Sequence, residues 1–274
     1  MAAYFVGLAV LVFTVSSAFD AYSMALFWVH MIEHLLLIMV VPALLVLGHP
    51  ITLLRSALGP RRVDRVLLSW PISVFLHPIV GFAVYAVVLV GTHLTDFMDQ
   101  MIIHPWLMGG ERVAYVVTGY IFMLSLIGNE PIRWRLPLLA RLLLIFLAMA
   151  PDTIVGIVLM QSNDPFPVMM ALRPHWAPPA QQDVVTAGGI MWVGGDGLMM
   201  IVGLTTVAAI TFRRDRQAIL GGWLEGTRRA VLAGQIRNDG ADDSPVVPDT
   251  VDVDDDQAVL DAYNRMLARL NGHE

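Results

Sequence analysis

Long apolar runs alternate with short polar loops along most of the chain, and several approach the roughly 20 residues that a helix needs to cross a bilayer. The pattern predicts six spans, at residues 3–15, 24–47, 72–91, 113–127, 138–158 and 188–212. The fold class expected is therefore all-α, a polytopic transmembrane helix bundle. The first run is short for a crossing, so the span begins at the first residue or lacks part of its start. Read as an uncleaved signal peptide, it lacks the basic residue that should precede the apolar run. Beyond the last run the pattern ends. Residues 239–274 carry ten acids and two arginines, with Pro245 and Pro248 among them, and read as an acidic, disordered cytoplasmic tail. The closing stretch QAVLDAYNRMLARL places Leu260, Tyr263, Met266, Leu267 and Leu270 at helical spacing, a short amphipathic helix. Two regions follow: a transmembrane core with its cytoplasmic extension at 1–238, and the tail at 239–274.

Composition agrees with the pattern. Of 274 residues 57% are hydrophobic and 15% charged, and mean hydropathy is +0.66, too apolar for a soluble surface. The net charge of −6 comes from the tail, since residues 1–238 carry a net +2. All 17 basic residues are arginines. Arg55, Arg61, Arg62 and Arg65 follow span two, Arg133, Arg135 and Arg141 follow span four, and span six runs into FRRDR. The positive-inside rule puts these, and both termini, in the cytoplasm. The opposite loops hold Asp20, Asp96, Asp99, His104, Glu111, Asp164, His175 and Asp183. There are no cysteines, so disulfides and thiolate metal sites are excluded. No phosphate loop, dinucleotide fingerprint or basic aromatic patch is present, so neither nucleotide nor nucleic acid is expected as a partner. The lipid bilayer is.

Candidate chemistry gathers in the outer half of the spans, where ionisable groups are costly unless they face a partner, a cavity or a metal. HMIEH puts His30 and His34 one turn apart on one helix face, with Glu33 about 100° away from His34 as an outer partner or bundle contact. Imidazole suits copper, zinc and iron. With Met24 and Met31 nearby, Met98, Met101 and Met108 in the next outer loop, and no thiolate, the set favours Cu(I). The structural alternative is two hydrogen-bonded histidines holding helices together among ordinary apolar methionines. HMIEH also fits the inverted zincin pattern, which would need a wet cleft and a third ligand, for which Glu111 is a candidate without specific spacing. His93 ends span three and is the best third ligand, with Asp96 able to orient it if the helix continues. His104, before Pro105 and Trp106, reads as an interfacial anchor or a mobile acceptor. His49 and His77 lie at the other end. Asp152 follows Pro151, which frees a carbonyl, and Asp196 follows Gly194 and Gly195, which permit close packing. Both acids read as outer-sphere or structural groups, or as alternative ligands.

The stretch HMIEHLLLIMVVPALLVLGHP at residues 30–50, His93 after a span, APDTIVG at 150–156 and the run from Asp183 through GGIMWVGGD to Asp196 resemble the CtaG family of membrane proteins, which assist assembly of caa3-type cytochrome c oxidase. The resemblance covers roughly residues 1–225. It implies a non-enzymatic factor of the bacterial cytoplasmic membrane that supplies copper to the CuB centre of oxidase subunit I, with a periplasmic donor upstream. It points to His30, His34, Met31 and His93 as the copper residues and to Asp152 and Asp196 as the acids of the later blocks. The family commonly has seven spans, against six here. It often has a further histidine pair where this chain reads GGERVAYVV, and Arg112, a cation in that stretch, cannot ligate copper. Alternatives with the same residues are a membrane copper transporter, a haem-binding membrane protein using His30 or His34 with His93 as axial ligands, and a scaffold for the oxidase that holds no metal.

Overall fold

The computed structural model of the chain describes residues 2–134, 136–163, 166, 173–209 and 211–212. The chain divides into units at Met1–Val207 and Ala208–Glu274. The acidic tail and its amphipathic stretch lie outside the described residues.

Every element described is helical: α1 Ala2–Ser16, α2 Ala18–Ala25, α3 Phe27–Leu47, α4 Pro50–Leu58, α5 Pro60–Leu67, α6 Trp70–Phe75, α7 Pro78–His93, α8 Phe97–Ile103, α9 Pro105–Leu126, α10 Leu138–Gln161 and α11 Ala180–Ala209. Three of them, α3, α10 and α11, are long and apolar enough to cross a membrane. The pairs α1 with α2, bent by 52°, and α7 with α8, bent by 68°, make five if each pair is one span. Helix α9 is also long, at 22 residues, but its first half carries Glu111 and Arg112.

Several boundaries differ from the hydropathy pattern, each for a local reason. Span two was expected from residue 24, but Leu26 is extended (φ −128°, ψ 119°), and α3 starts afresh at Phe27. The carboxylate of Asp183, wholly buried at the start of α11, accepts the N–H groups of Phe27 and Trp28 at 3.0 Å each and pairs with Arg173 at 2.9 Å. A distant acid thus caps the orphan donors of this helix start, where a local serine would usually serve. Glu130 does the same for α4, accepting from Ile51 and Thr52 at 3.1 and 2.9 Å. Span three, expected from residue 72, is split at His77, whose ring accepts the Ile79 N–H ahead of Pro78. α9 begins at Pro105, eight residues before the expected start of span four.

Helix neighbours close a ring: α3 packs on α9, α9 on α7, α7 on α10, α10 on α11, and α11 on α3, with α1 outside against the second half of α3. Two wide turns interrupt the ring helices, π-helical at Leu36–Val40 in α3 and Ile190–Gly194 in α11. Such insertions are frequent where a side chain must be re-aimed at a functional site. In α3 the turn precedes Pro42, which cannot bond the Ile38 carbonyl, and that carbonyl lies against Gly119 of α9. A methyl group on Gly119 would sit 2.1 Å from the Ile38 oxygen, so α3 and α9 meet backbone to backbone. Gly156 and Gly188 give α10 and α11 the same intimacy. Gly119→Ala should therefore lower stability by about 1–3 kcal/mol through overpacking, read as a lower melting temperature in detergent. An unchanged melt would mean that the contact is slack.

Candidate metal centre

The first turns of α3 carry Phe27, His30, Met31 and His34 on a buried face. Spacing of three and four residues stacks them towards the bundle axis. The rings of His30 and His34 have centroids 4.1 Å apart. From α9, the residues at 111, 115, 118 and 122 repeat with helical period and are all buried, which brings Glu111 and Tyr115 to the same place. One donor atom from each of His30, His34 and Glu111 lies within 4.8 Å of the other two. His34 Nε2 is 3.5 Å from Glu111 Oε2. Donors sharing one ion at about 2 Å each stand roughly 3–4 Å apart, so this pair is already spaced for coordination.

Hydrogen bonding orients the cluster. His93, at the end of α7, has Nδ1 2.9 Å from the Leu89 carbonyl, which can only accept, so His93 donates from Nδ1. Its Nε2 then accepts from His34 Nδ1 at 2.9 Å. That leaves the lone pair of His34 on Nε2, facing Glu111. Tyr115 completes the wall, its ring 4.4 Å from that of His34 and its hydroxyl on Thr92. His30 Nε2 is buried with no hydrogen-bond partner, a state that costs about 1–3 kcal/mol unless something fills the space beside it. Two nitrogen donors and a carboxylate converging in a buried volume fit a cation, and the set, without sulfur from cysteine, suits copper or zinc.

The remaining predicted residues are placed as follows. Glu33 turns away and accepts from Arg112 Nε at 2.7 Å, while Arg112 also bridges to Asp20 of α2. Glu33 is thus a bundle contact held by a cation, and the inverted zincin reading loses the free base beside a metal-bound water. Met31 is fully buried among core residues. Met98 and Met101, expected in a loop, are buried on α8. Asp96 is exposed beyond the end of α7, where the chain bends instead of continuing as helix, and His104 is exposed just before Pro105. Asp152 is wholly buried and accepts from the Tyr85 hydroxyl at 3.0 and 3.2 Å. Asp196 accepts from Thr153 at 3.1 Å. These two acids form a separate polar layer between α7, α10 and α11. His34 and His93 are in direct hydrogen-bond contact, with ring centroids 4.8 Å apart, which leaves no slot for a porphyrin between them.

Spacing named Glu111 only as a third ligand for the hydrolytic alternative and left it out of the copper set, whereas the structure brings it to His30 and His34. Hydropathy hid it, because the expected span began after the Glu-Arg pair; the inward period 111, 115, 118, 122 was the available signal.

Among curated relatives, an uncharacterised protein of Mycobacterium leprae is 31% identical over 99% of this chain and 39% of its own length. Uncharacterised proteins of Mycobacterium bovis and Mycobacterium tuberculosis are each 33% identical over 79% of this chain and 36% of their own. The chain thus spans less than two fifths of these relatives. No solved structure matches it. The model of the cytochrome c oxidase caa3 assembly factor family, described by a role in assembly and not by a catalysed reaction, matches residues 1–213, and the chain belongs to that family.

Proposed function

We propose that this protein is a non-enzymatic assembly factor that binds Cu(I) between His30, His34 and Glu111 and delivers it to the CuB centre of cytochrome c oxidase subunit I. The observation that carries the metal half of this reading is the buried cluster of His30, His34 and Glu111, with one donor atom of each within 4.8 Å of the others, together with a His30 Nε2 that is buried without a hydrogen-bond partner. Family membership supports the oxidase half. Two imidazoles are a sufficient set for a soft monovalent ion, and the harder carboxylate is a weak third ligand, which keeps the ion exchangeable. His93 acts through His34 by holding its tautomer, and Met31 lies in the same turn of α3 as a reserve soft donor.

We place α9 as a further crossing beside the five counted by length and apolarity, which gives six. Arginines after spans two and four then face the cytoplasm together with both termini, in the bacterial cytoplasmic membrane, and the metal cluster lies in the outer half. Copper would arrive from a periplasmic donor at that side.

The test replaces His30 and His34 with alanine in cells that express the oxidase. Copper per oxidase, measured by mass spectrometry, falls while the amount of this protein in the membrane stays normal. Full oxidase copper in that variant would overturn delivery. Cu(I) movement across proteoliposomes lacking any oxidase would favour a transporter instead.

A further inference from the structure

We propose that the end of the bundle opposite the metal cluster binds the phosphate headgroup of an anionic phospholipid, in a pocket between the α6–α7 break and the loop that joins α9 to α10. The site is independent of the metal: His77 precedes α7 and His93 ends it, about 24 Å apart along the helix axis. The pocket encloses about 470 Å³, within the range of small-ligand sites, and Trp70, Ser73, Val74, His77, Arg133 and Trp134 are among its walls. Trp134 is pinned in place. Its indole N–H donates to the Ser73 carbonyl at 3.0 Å, and its ring meets that of His77 edge-on with centroids 4.6 Å apart. Loop and helix break are thereby held against each other.

The walls offer N–H donors and no carboxylate. The Arg133 guanidinium lies over the Trp134 ring, 5.1 Å from its centroid, a contact that holds the cation without neutralising it, and no acid pairs with it among the described residues. His77 Nδ1 accepts the Ile79 N–H at 3.3 Å, so the ring hydrogen is on Nε2, a donor with no partner among the described residues. Unmatched donors suit an anion. A guanidinium suits phosphate in particular, because its fork meets two oxygens at once. The other walls select the lipid form of that anion. Leu68, Val74 and Val80 are apolar, and the exposed Phe75 and Ile79 adjoin them in the chain. Trp70, 79% exposed, and Trp134 are the amphipathic rings that settle where membrane meets water. Arg61, Arg62 and Arg65 of α5, within two turns ahead of Leu68, are exposed and draw anionic headgroups to this end. Inorganic phosphate would use the donors and leave the apolar walls wet, and an acidic protein segment would have to strip its hydrated backbone to enter. A phospholipid satisfies both halves of the pocket.

The experiment titrates the full chain, purified in a non-ionic detergent and stripped of lipid, with phosphatidylglycerol and with phosphatidylcholine, and counts bound lipid by native mass spectrometry. Wild type prefers phosphatidylglycerol. Arg133→Gln removes the fork at an exposed position and weakens that binding by about tenfold or more. Arg61→Gln, the same loss of charge outside the pocket, leaves it unchanged. Val74→Trp, at a position 38% exposed, fills the pocket without altering charge and weakens binding as Arg133→Gln does, which keeps the test decisive if the arginine variant fails to fold. Equal weakening by Arg133→Gln and Arg61→Gln would overturn the pocket in favour of diffuse attraction to the surface. Equal binding of the two lipids by wild type would overturn the anionic headgroup, and is the result expected if an acidic protein segment is the occupant. Inorganic phosphate that raises the melting temperature of the stripped protein as far as phosphatidylglycerol does would overturn the lipid in favour of the free anion.

Discussion

His34→Ala is expected to weaken Cu(I) binding by about a thousandfold, with His93→Ala costing only about ten- to a hundredfold. The first figure follows from sharing a binding free energy of about 10–16 kcal/mol among a small set of ligands, so that one ligand accounts for about 4 kcal/mol. The second is the usual effect of removing a group that orients a ligand without touching the metal. The order follows from the hydrogen bonds. The Leu89 carbonyl fixes His93, His93 Nε2 accepts a hydrogen bond from His34 Nδ1–H, and His34 presents its Nε2 lone pair to Glu111. Competition against a chromophoric Cu(I) chelator on detergent-purified protein measures both variants. His104→Ala, at an exposed position outside the cluster, should match wild type. Equal losses for His34 and His93 would make His93 a direct ligand and would discard the tautomer argument.

The histidines of this centre were legible because four-residue spacing on a predicted helix puts two rings on one face whatever the rest of the bundle does. His93 was legible as the last residue of an apolar run. Glu111 could be named as a possible third ligand but not placed beside the histidine pair, for a physical reason: hydropathy marks where a helix faces lipid, whereas α9 shows its polar residues to the bundle interior. Glu111, Thr118 and Ser125 are all buried, and the helix start is set by Pro105 ahead of any apolar run. The breaks at Leu26 and His77 were hidden by the same averaging, since a window of apolar residues does not register one extended residue. Asp183, read from sequence as a loop charge, and Glu130 cap helices far away in the chain, which no local pattern encodes.

Asp152 and Asp196 show how far the polar interior extends. Tyr85 is eight residues before His93 on α7, about 12 Å along the helix, so the aspartate layer lies two turns below the metal cluster. Gly195 packs directly on the Asp152 carboxyl, where a Cβ would stand 3.0 Å away, and this close approach keeps α11 against α10 beside the acid. The layer ties α7 to α10 through Tyr85 and Asp152 and α10 to α11 through Thr153 and Asp196, apart from the candidate metal cluster.

Arg112→Gln is expected to destabilise the protein by about 3–5 kcal/mol, the usual result of stranding one member of a buried ion pair. Glu33 is 1% exposed, and its partner is the Arg112 guanidinium at 2.7 Å. The second pair, to Asp20, is more open and adds less. The measurement is a double-mutant cycle on unfolding in mixed micelles, with Glu33→Gln and the double variant. If the loss comes from an uncompensated charge, the double variant is more stable than the sum of the single losses allows, because two neutral amides can share the site. Strict additivity would show that the pair contributes nothing. Arg112→His should not restore stability, since an imidazole cannot fork to Asp20 and Glu33 at once. Copper loading separates this role from ligation. One residue along a helix is a turn of 100°, so Glu111 faces His34 while Arg112 faces Glu33. Arg112→Gln protein that still folds should therefore load Cu(I) as wild type does, which makes this arginine a brace between α2, α3 and α9 that leaves the metal site free.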